Sequence, residues 1–234
     1  MRDYPKNVPA EVIHWLKRQK RFVTSDELAA GMGTTKRTAS CYLSRLAKCG
    51  LLTRIAKGKY ISRSMYLGKE VGKIAKLIQK RMPLTPFVIW STEIISPISH
   101  HMLGKHIIFI EADEYAVGNI KDVLLEERLA PLLDPTAKEL EDIFSSPIDV
   151  ILFKKSEKYA TIRISDILTA SLEKALIDLY FLSTRRKFPI PPSELIDAVK
   201  NALRDGLIDL KVFSRYAARR NVKNELAREL KRSR

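Results

Sequence analysis

Residues 9–61 constrain the fold more than any other part of this 234-residue chain. Three stretches there repeat apolar residues at helical spacing, and a short basic hairpin follows them. The first runs from Pro9, a favoured first-turn residue, to Lys20, with Val12, Ile13, Trp15 and Leu16 on one stripe. The second opens on Thr24-Ser25-Asp26-Glu27. A hydroxyl followed three residues later by Glu spells a capping box. Leu28, Ala29 and Met32 face inward, and Gly31-Met32-Gly33-Thr34 makes a tight turn. The third stretch opens at Thr34 or Thr35, both good caps, and runs to Cys49. Ala39, Leu43, Leu46 and Ala47 keep its helical period, and Gly50 stops it. Leu51–Ile61 then turns at Ala56-Lys57-Gly58-Lys59. Three helices in this order, closed by a basic hairpin, predict a winged helix-turn-helix.

The third helix has two unlike sides. At 100° per residue, the side opposite its apolar stripe carries Arg37, Thr38, Cys41, Arg45 and Lys48. Lys36 and Tyr42 flank that side, and Thr35 stands at its start. Arg bridges guanine O6 and N7, and Thr touches a thymine methyl or a phosphate. On the hairpin, Arg54, Lys57 and Lys59 are spaced to straddle phosphates or enter a minor groove. These residues make the candidate set for double-stranded DNA, and the alternative for each is a solvated charged face.

Charge points the same way. The net +15 is uneven, with +14 over residues 1–82, −7 over 83–184 and +8 over 185–234. A basic end beside an acidic middle suggests a polyanion partner for the first part. No apolar run reaches the ~18 residues of a membrane span, and the start lacks the apolar stretch of a secretion signal. Cys41 and Cys49 lie eight apart on one helix, ~12 Å, too far to bridge. Free thiols suit a reducing compartment, so a cytoplasmic location is expected.

Beyond the hairpin, 64–81 reads as a linker helix with Val71, Ile74, Ala75 and Ile78 on one stripe and Lys69, Lys73, Lys76 and Lys80 on another. Met82-Pro83-Leu84-Thr85-Pro86 closes it, because two prolines stop a helix. The expected domains are therefore 1–63, a linker over 64–86, and 87–234. Strands are expected at 87–90, 106–112, 148–153 and 159–164, and helices at 115–128, 171–182, 193–204, 210–220 and 223–231. Strands followed by a run of helices argue a mixed α+β domain ending in a helical segment, and α+β for the chain as a whole. The late helices carry Lys200, Arg204, Arg215, Arg219, Arg220, Lys223 and Arg228 outward.

The chain resembles the AbiEi-type antitoxins, the transcription-regulator halves of type IV toxin–antitoxin pairs. One segment carrying the resemblance is Thr35-Lys36-Arg37-Thr38-Ala39-Ser40-Cys41-Tyr42-Leu43, with the hairpin ending Lys57-Gly58-Lys59-Tyr60. Another is Phe87-Val88-Ile89-Trp90-Ser91-Thr92, leading to the strand ending Phe109-Ile110-Glu111. The last is Leu172-Glu173-Lys174-Ala175-Leu176-Ile177-Asp178-Leu179, with Tyr216-Ala217-Ala218-Arg219-Arg220. The resemblance implies an N-terminal domain that binds its own operator and represses its operon, and a C-terminal domain that opposes a nucleotidyltransferase-type toxin. The basic side of the third helix and the hairpin suggest binding at repeated half-sites of the promoter. No glycine-rich phosphate loop or nucleophile elbow occurs, so no cofactor and no catalysis are expected.

Two other readings remain open. One is a DNA-targeted nuclease with Mg²⁺ held by Glu111, Asp113 and Asp149, with Glu114 and Lys154 or Lys155 nearby; a solvated strand end is the plainer account. The other is a ligand-sensing repressor whose α+β domain binds a small molecule. His100, His101 and His106 invite a metal, but adjacent His side chains diverge and no Cys or acidic cluster completes a set. Lys174 and Asp178, four apart on a helix beside Glu173, are expected to pair on the surface.

Overall fold

The structure, a computed structural model, describes residues 7–19, 22–62, 66–99, 104–147, 149–155 and 157–232. The N-terminal residues read for a leader, the expected element ends at Lys20, Ser64 and Ile148, and His100 and His101 lie outside them. The chain divides into two units, residues 1–66 and 67–234.

In unit 1, α1 (Ala10–Arg18), α2 (Ser25–Met32) and α3 (Lys36–Lys48) pack around Val12, Leu28, Ala39, Leu43 and Leu46. Strand β1 (Val23–Thr24) joins β2 (Leu52–Ala56) and β3 (Lys59–Ser62) in an antiparallel sheet of order β1-β3-β2. The register shifts between Arg54 and Ala56, a bulge next to the hairpin turn. Local chemistry fixes the helix ends. Thr24 accepts from the Glu27 amide at 3.1 Å, and the Glu27 carboxylate accepts from the Thr24 amide at 2.9 Å, so the expected capping box is present. Thr35 caps α3 by accepting from the Thr38 amide at 3.2 Å. At its other end, Leu51 donates to Leu46 and Gly50 to Ala47, with Gly50 at φ +69°. That paired closure needs a residue in the left-handed region, which glycine enters without strain.

Gly31 does not sit in the turn as expected; it lies inside α2, and Gly33 alone takes the left-handed φ of +61°. What Gly31 supplies is room, because a Cβ there would stand 2.7 Å from Trp15 Cε2 and closer still to Nε1. Gly31→Ala gains about 1 kcal/mol in helix propensity but must displace a rigid indole, at a cost of about 1–3 kcal/mol. We expect a lower urea midpoint together with a shifted Trp emission; a raised midpoint contradicts this packing.

Unit 2 is built on a four-stranded mixed sheet of order β4-β5-β7-β6. Here β4 is Phe87–Ser91, β5 Ile108–Ala112, β6 Leu132–Leu133 and β7 Val150–Lys154. β4 is antiparallel to β5, whereas β5 and β6 run parallel to β7. Every residue of β4 and β5 is buried, β5 at the centre of the sheet and β4 at its edge, where other elements cover it. α4 (Lys69–Arg81) and α5 (Glu114–Glu126) pack on this sheet and on each other, and Arg81 pairs with Glu126. A short helix, α6 (Ala137–Glu141), follows β6. A separate hairpin, β8 (Thr161–Ile164) with β9 (Ile167–Ala170), lies against β4 through β9. Four helices complete the unit: α7 (Leu172–Arg186), α8 (Pro192–Arg204), α9 (Leu210–Arg219) and α10 (Lys223–Arg232).

The segment expected to be a linker helix belongs to unit 2. α4 buries Val71, Ile74, Ala75 and Ile78 there, so its apolar stripe is core rather than connector. α7 is the other departure, since Leu172–Tyr180 are all buried, charged residues included. A helix covered on every side sits at the centre of its unit. Among the described residues, no helix is long and apolar enough to cross a membrane.

Candidate nucleic-acid interface

The helical period that buries Ala39, Leu43 and Leu46 leaves the other side of α3 in solvent. Arg37, Cys41, Arg45 and Lys48 are exposed there, with Thr35 and Lys36 at its start, while Thr38 and Tyr42 are half-buried. On the hairpin, Arg54 and Lys57 are exposed and Lys59 is half-buried. Every expected residue is thus at or near the surface of one small unit, but their engagements differ.

Arg37, Lys48 and Lys57 make no hydrogen bond or ion pair among the described residues, and their charge is available to an anion. Lys36 pairs with Asp26 at 2.9 Å, with both side chains more than two-thirds exposed. Such a pair is worth little and is easily exchanged for a phosphate. Arg45 donates to the Asn7 carbonyl at 2.9 Å, which orients the guanidinium without neutralising it. Arg54 donates to the Ala56 carbonyl at 3.3 Å, across the bulge. Lys59 Nζ lies 5.7 Å from the centre of the Phe22 ring, and Tyr42 packs against the core. Those last two are the most committed to the fold. Thr35 and Thr38 share a hydroxyl contact of 2.9 Å, spending hydrogen-bonding capacity inside the helix start.

Sequence reading missed one residue of this side. Ser44 is exposed, and the 100° rule sets it about 20° from Arg37 and about 40° from Lys48, on the same side. The same helical wheel would have found it, because a serine hydroxyl is an ordinary phosphate donor. Cys41 and Cys49 are both free and exposed.

The carboxylates of the nuclease reading are not brought together. Glu111 pairs with Phe153 across β5 and β7, whereas Asp149 precedes Val150, the partner of Ile108. Three to four residues of strand separate them, ~10–13 Å. Asp149 pairs instead with Lys105 at 3.0 Å, and Glu114 with Lys154 at 3.2 Å. Among the described residues, no three metal-ligating side chains gather. His106 faces Thr92 at 3.4 Å.

Glu111 is not a solvated strand end, nor are Lys174 and Asp178 a surface pair. All three are buried, and they meet one another. Lys174 Nζ lies 2.8 Å from Glu111, 2.6 Å from Asp178 and 3.0 Å from the Tyr216 hydroxyl. Lys155 reaches Asp178 and Tyr216 at 3.2 and 3.0 Å, and Trp90 donates to Glu111 at 3.0 Å. Arg220, expected to face outward, turns in to Asp178 at 2.9 Å. Charges removed from water persist only when paired in this way. Burial alone would push the Asp178 carboxyl up, but Lys174, Lys155 and Arg220 outweigh it and hold it below the usual range. For Lys174, burial is likewise outweighed by Asp178 and Glu111, which hold its ammonium above the ordinary lysine range. Lys155 goes the other way, since loss of hydration dominates there and lowers it.

A family model described as a family of unknown function (DUF6577) matches residues 38–234. The chain belongs to this family. A second model, described as transcriptional regulator, AbiEi antitoxin, matches residues 11–63, so the resemblance read from the sequence holds over unit 1. The two later segments that carried it lie within the part matched by the family of unknown function. No curated protein matches the chain.

Proposed function

We propose that this protein is a DNA-binding transcriptional repressor and the antitoxin of a type IV pair. Unit 1 acts as a winged helix-turn-helix: α3 enters the major groove and the β2–β3 hairpin lies along the flanking backbone. Arg37 reads a base edge, Lys48 and Lys57 meet phosphates, and Arg45, Arg54, Ser44 and Lys36 add backbone contacts. The observation that carries this is the set of unpaired cations on α3 and the hairpin turn, inside the segment matched by the AbiEi model. Unit 2 opposes a nucleotidyltransferase-type toxin in the cytoplasm, and its acidic stretch suits a basic partner. No catalytic step is assigned, because Glu111 and Asp178 are engaged by cations of the fold itself.

Co-expression of the full chain with an adjacent nucleotidyltransferase-like gene is expected to restore growth that the toxin alone arrests. Arg37→Ala/Lys48→Ala/Lys57→Ala is expected to release promoter repression in a reporter while growth rescue persists, since the two tasks belong to different units. Failure of the full chain to rescue growth removes the antitoxin role, and undiminished repression by the triple variant removes the proposed DNA surface.

A further inference from the structure

Unit 2 holds a cavity of about 210 Å³ on the flank of the buried charge cluster. At ~30 Å³ per water this is room for roughly seven, and it falls short of the ~300 Å³ where drug-sized sites begin. Its occupant is therefore compact. Flat apolar surfaces come from Trp90, Phe153 and Phe181, and cations from Lys155, Arg186 and Arg220. Both guanidiniums rest on rings, Arg220 Cζ at 3.9 Å from the Phe181 centre and Arg186 Cζ at 5.7 Å from that of Phe153.

The charge around this cavity does not balance. Lys155, Lys174 and Arg220 share two buried carboxylates, Glu111 and Asp178. Arg186 adds a cation with no carboxylate partner among the described residues; its one hydrogen bond is to the Pro135 carbonyl at 3.4 Å. Arg220 Nε is near Asp178 but not aligned to hydrogen-bond, and its guanidinium makes no hydrogen bond among the described residues. Asp134, also on the wall, is exposed and accepts from the Lys154 amide, and the Lys154 ammonium is taken by Glu114. Two ring-supported guanidiniums with spare donors are suited to a planar, two-oxygen acceptor.

We propose that this cavity binds a small aromatic carboxylate, with the carboxylate held by Arg186 and Arg220 and the ring among Trp90, Phe153 and Phe181. This goes beyond the DNA-binding and antitoxin reading and does not depend on it. The probe is benzoate, added to the full chain in a Trp15→Phe background so that Trp90 alone reports. Benzoate should change Trp90 emission saturably and raise the melting temperature. Benzamide, the neutral isostere, and inorganic phosphate should each bind at least tenfold more weakly. Arg186→Gln, a half-buried site with a single hydrogen bond, should keep the fold by circular dichroism and weaken benzoate at least tenfold. Arg220→Lys should do the same by keeping the charge and losing the fork. No saturable signal up to ~10 mM, roughly the weak limit for a nine-atom ligand, overturns the proposal. So does benzamide or phosphate binding as tightly as benzoate, or unchanged affinity in a folded Arg186→Gln protein.

Discussion

Lys174→Met should cost unit 2 about 3–5 kcal/mol at neutral pH, the range for removing one partner of a buried ion pair. Lys174 is fully buried and is shared by Glu111, Asp178 and Tyr216. Without it, two buried carboxylates depend on Lys155 and Arg220, both closer to solvent. Lys154→Met is the control. Its partner is the exposed Glu114, and loss of such a surface pair changes stability by less than about 1 kcal/mol. The sign of the pH dependence follows from the shifts. Asp178 is depressed in the folded protein, so its contribution is complete above the unfolded Asp value of about 3.9 and fades as pH falls through the folded value. Lys174 is raised, so its contribution is complete below about 10.4 and fades as pH climbs through the folded value. The deficit of Lys174→Met is therefore largest between these limits and shrinks once acid protonates the stranded carboxylates. Urea unfolding followed at Trp90, with Trp15 replaced by Phe, isolates this unit. A deficit below about 1 kcal/mol at neutral pH, or one that ignores pH, contradicts the account.

What could be read from the sequence was local. The Thr24–Glu27 box and the Thr35 cap are complete within four residues, so composition alone announced them. The buried side of α3 followed from a period that no distant contact alters. Lys174 and Asp178 show where such reading ends. Their i,i+4 spacing was visible, and so was their pairing. Their burial was not, because it depends on Glu111 and Tyr216, 63 and 42 positions away. A charged residue four from its opposite looks the same on a surface helix and on one enclosed by a sheet and three helices. α4 misled for the same reason, since an amphipathic stripe does not say which core it joins. Gly31 looked like turn chemistry because its use is to admit Trp15, sixteen residues away.

The second large effect concerns DNA. If Arg37 reads a base, as proposed, Arg37→Ala should cost about 1–3 kcal/mol and relax preference at one position of the site. Lys57→Ala and Lys48→Ala should each weaken all sequences alike and lower the salt slope by about 1, as expected for the loss of one phosphate contact. Lys48 is chosen over Arg45 because it has no hydrogen bond or ion pair among the described residues, whereas Arg45 helps hold Asn7. Substitution there changes charge without disturbing the fold. Lys59→Ala is expected to do less, since its ammonium lies over Phe22.

The most direct measurement is fluorescence anisotropy of the full chain on its own promoter and on a scrambled duplex, at two salt concentrations. Wild type and Arg37→Ala/Lys48→Ala/Lys57→Ala are compared side by side. Wild type should strongly prefer the promoter, with affinity falling steeply as salt rises. The triple variant should bind at least a hundredfold more weakly, with most of the preference gone and a slope lower by about 2. A triple variant within threefold of wild type on the promoter, with an unchanged slope, would show that this face does not bind DNA.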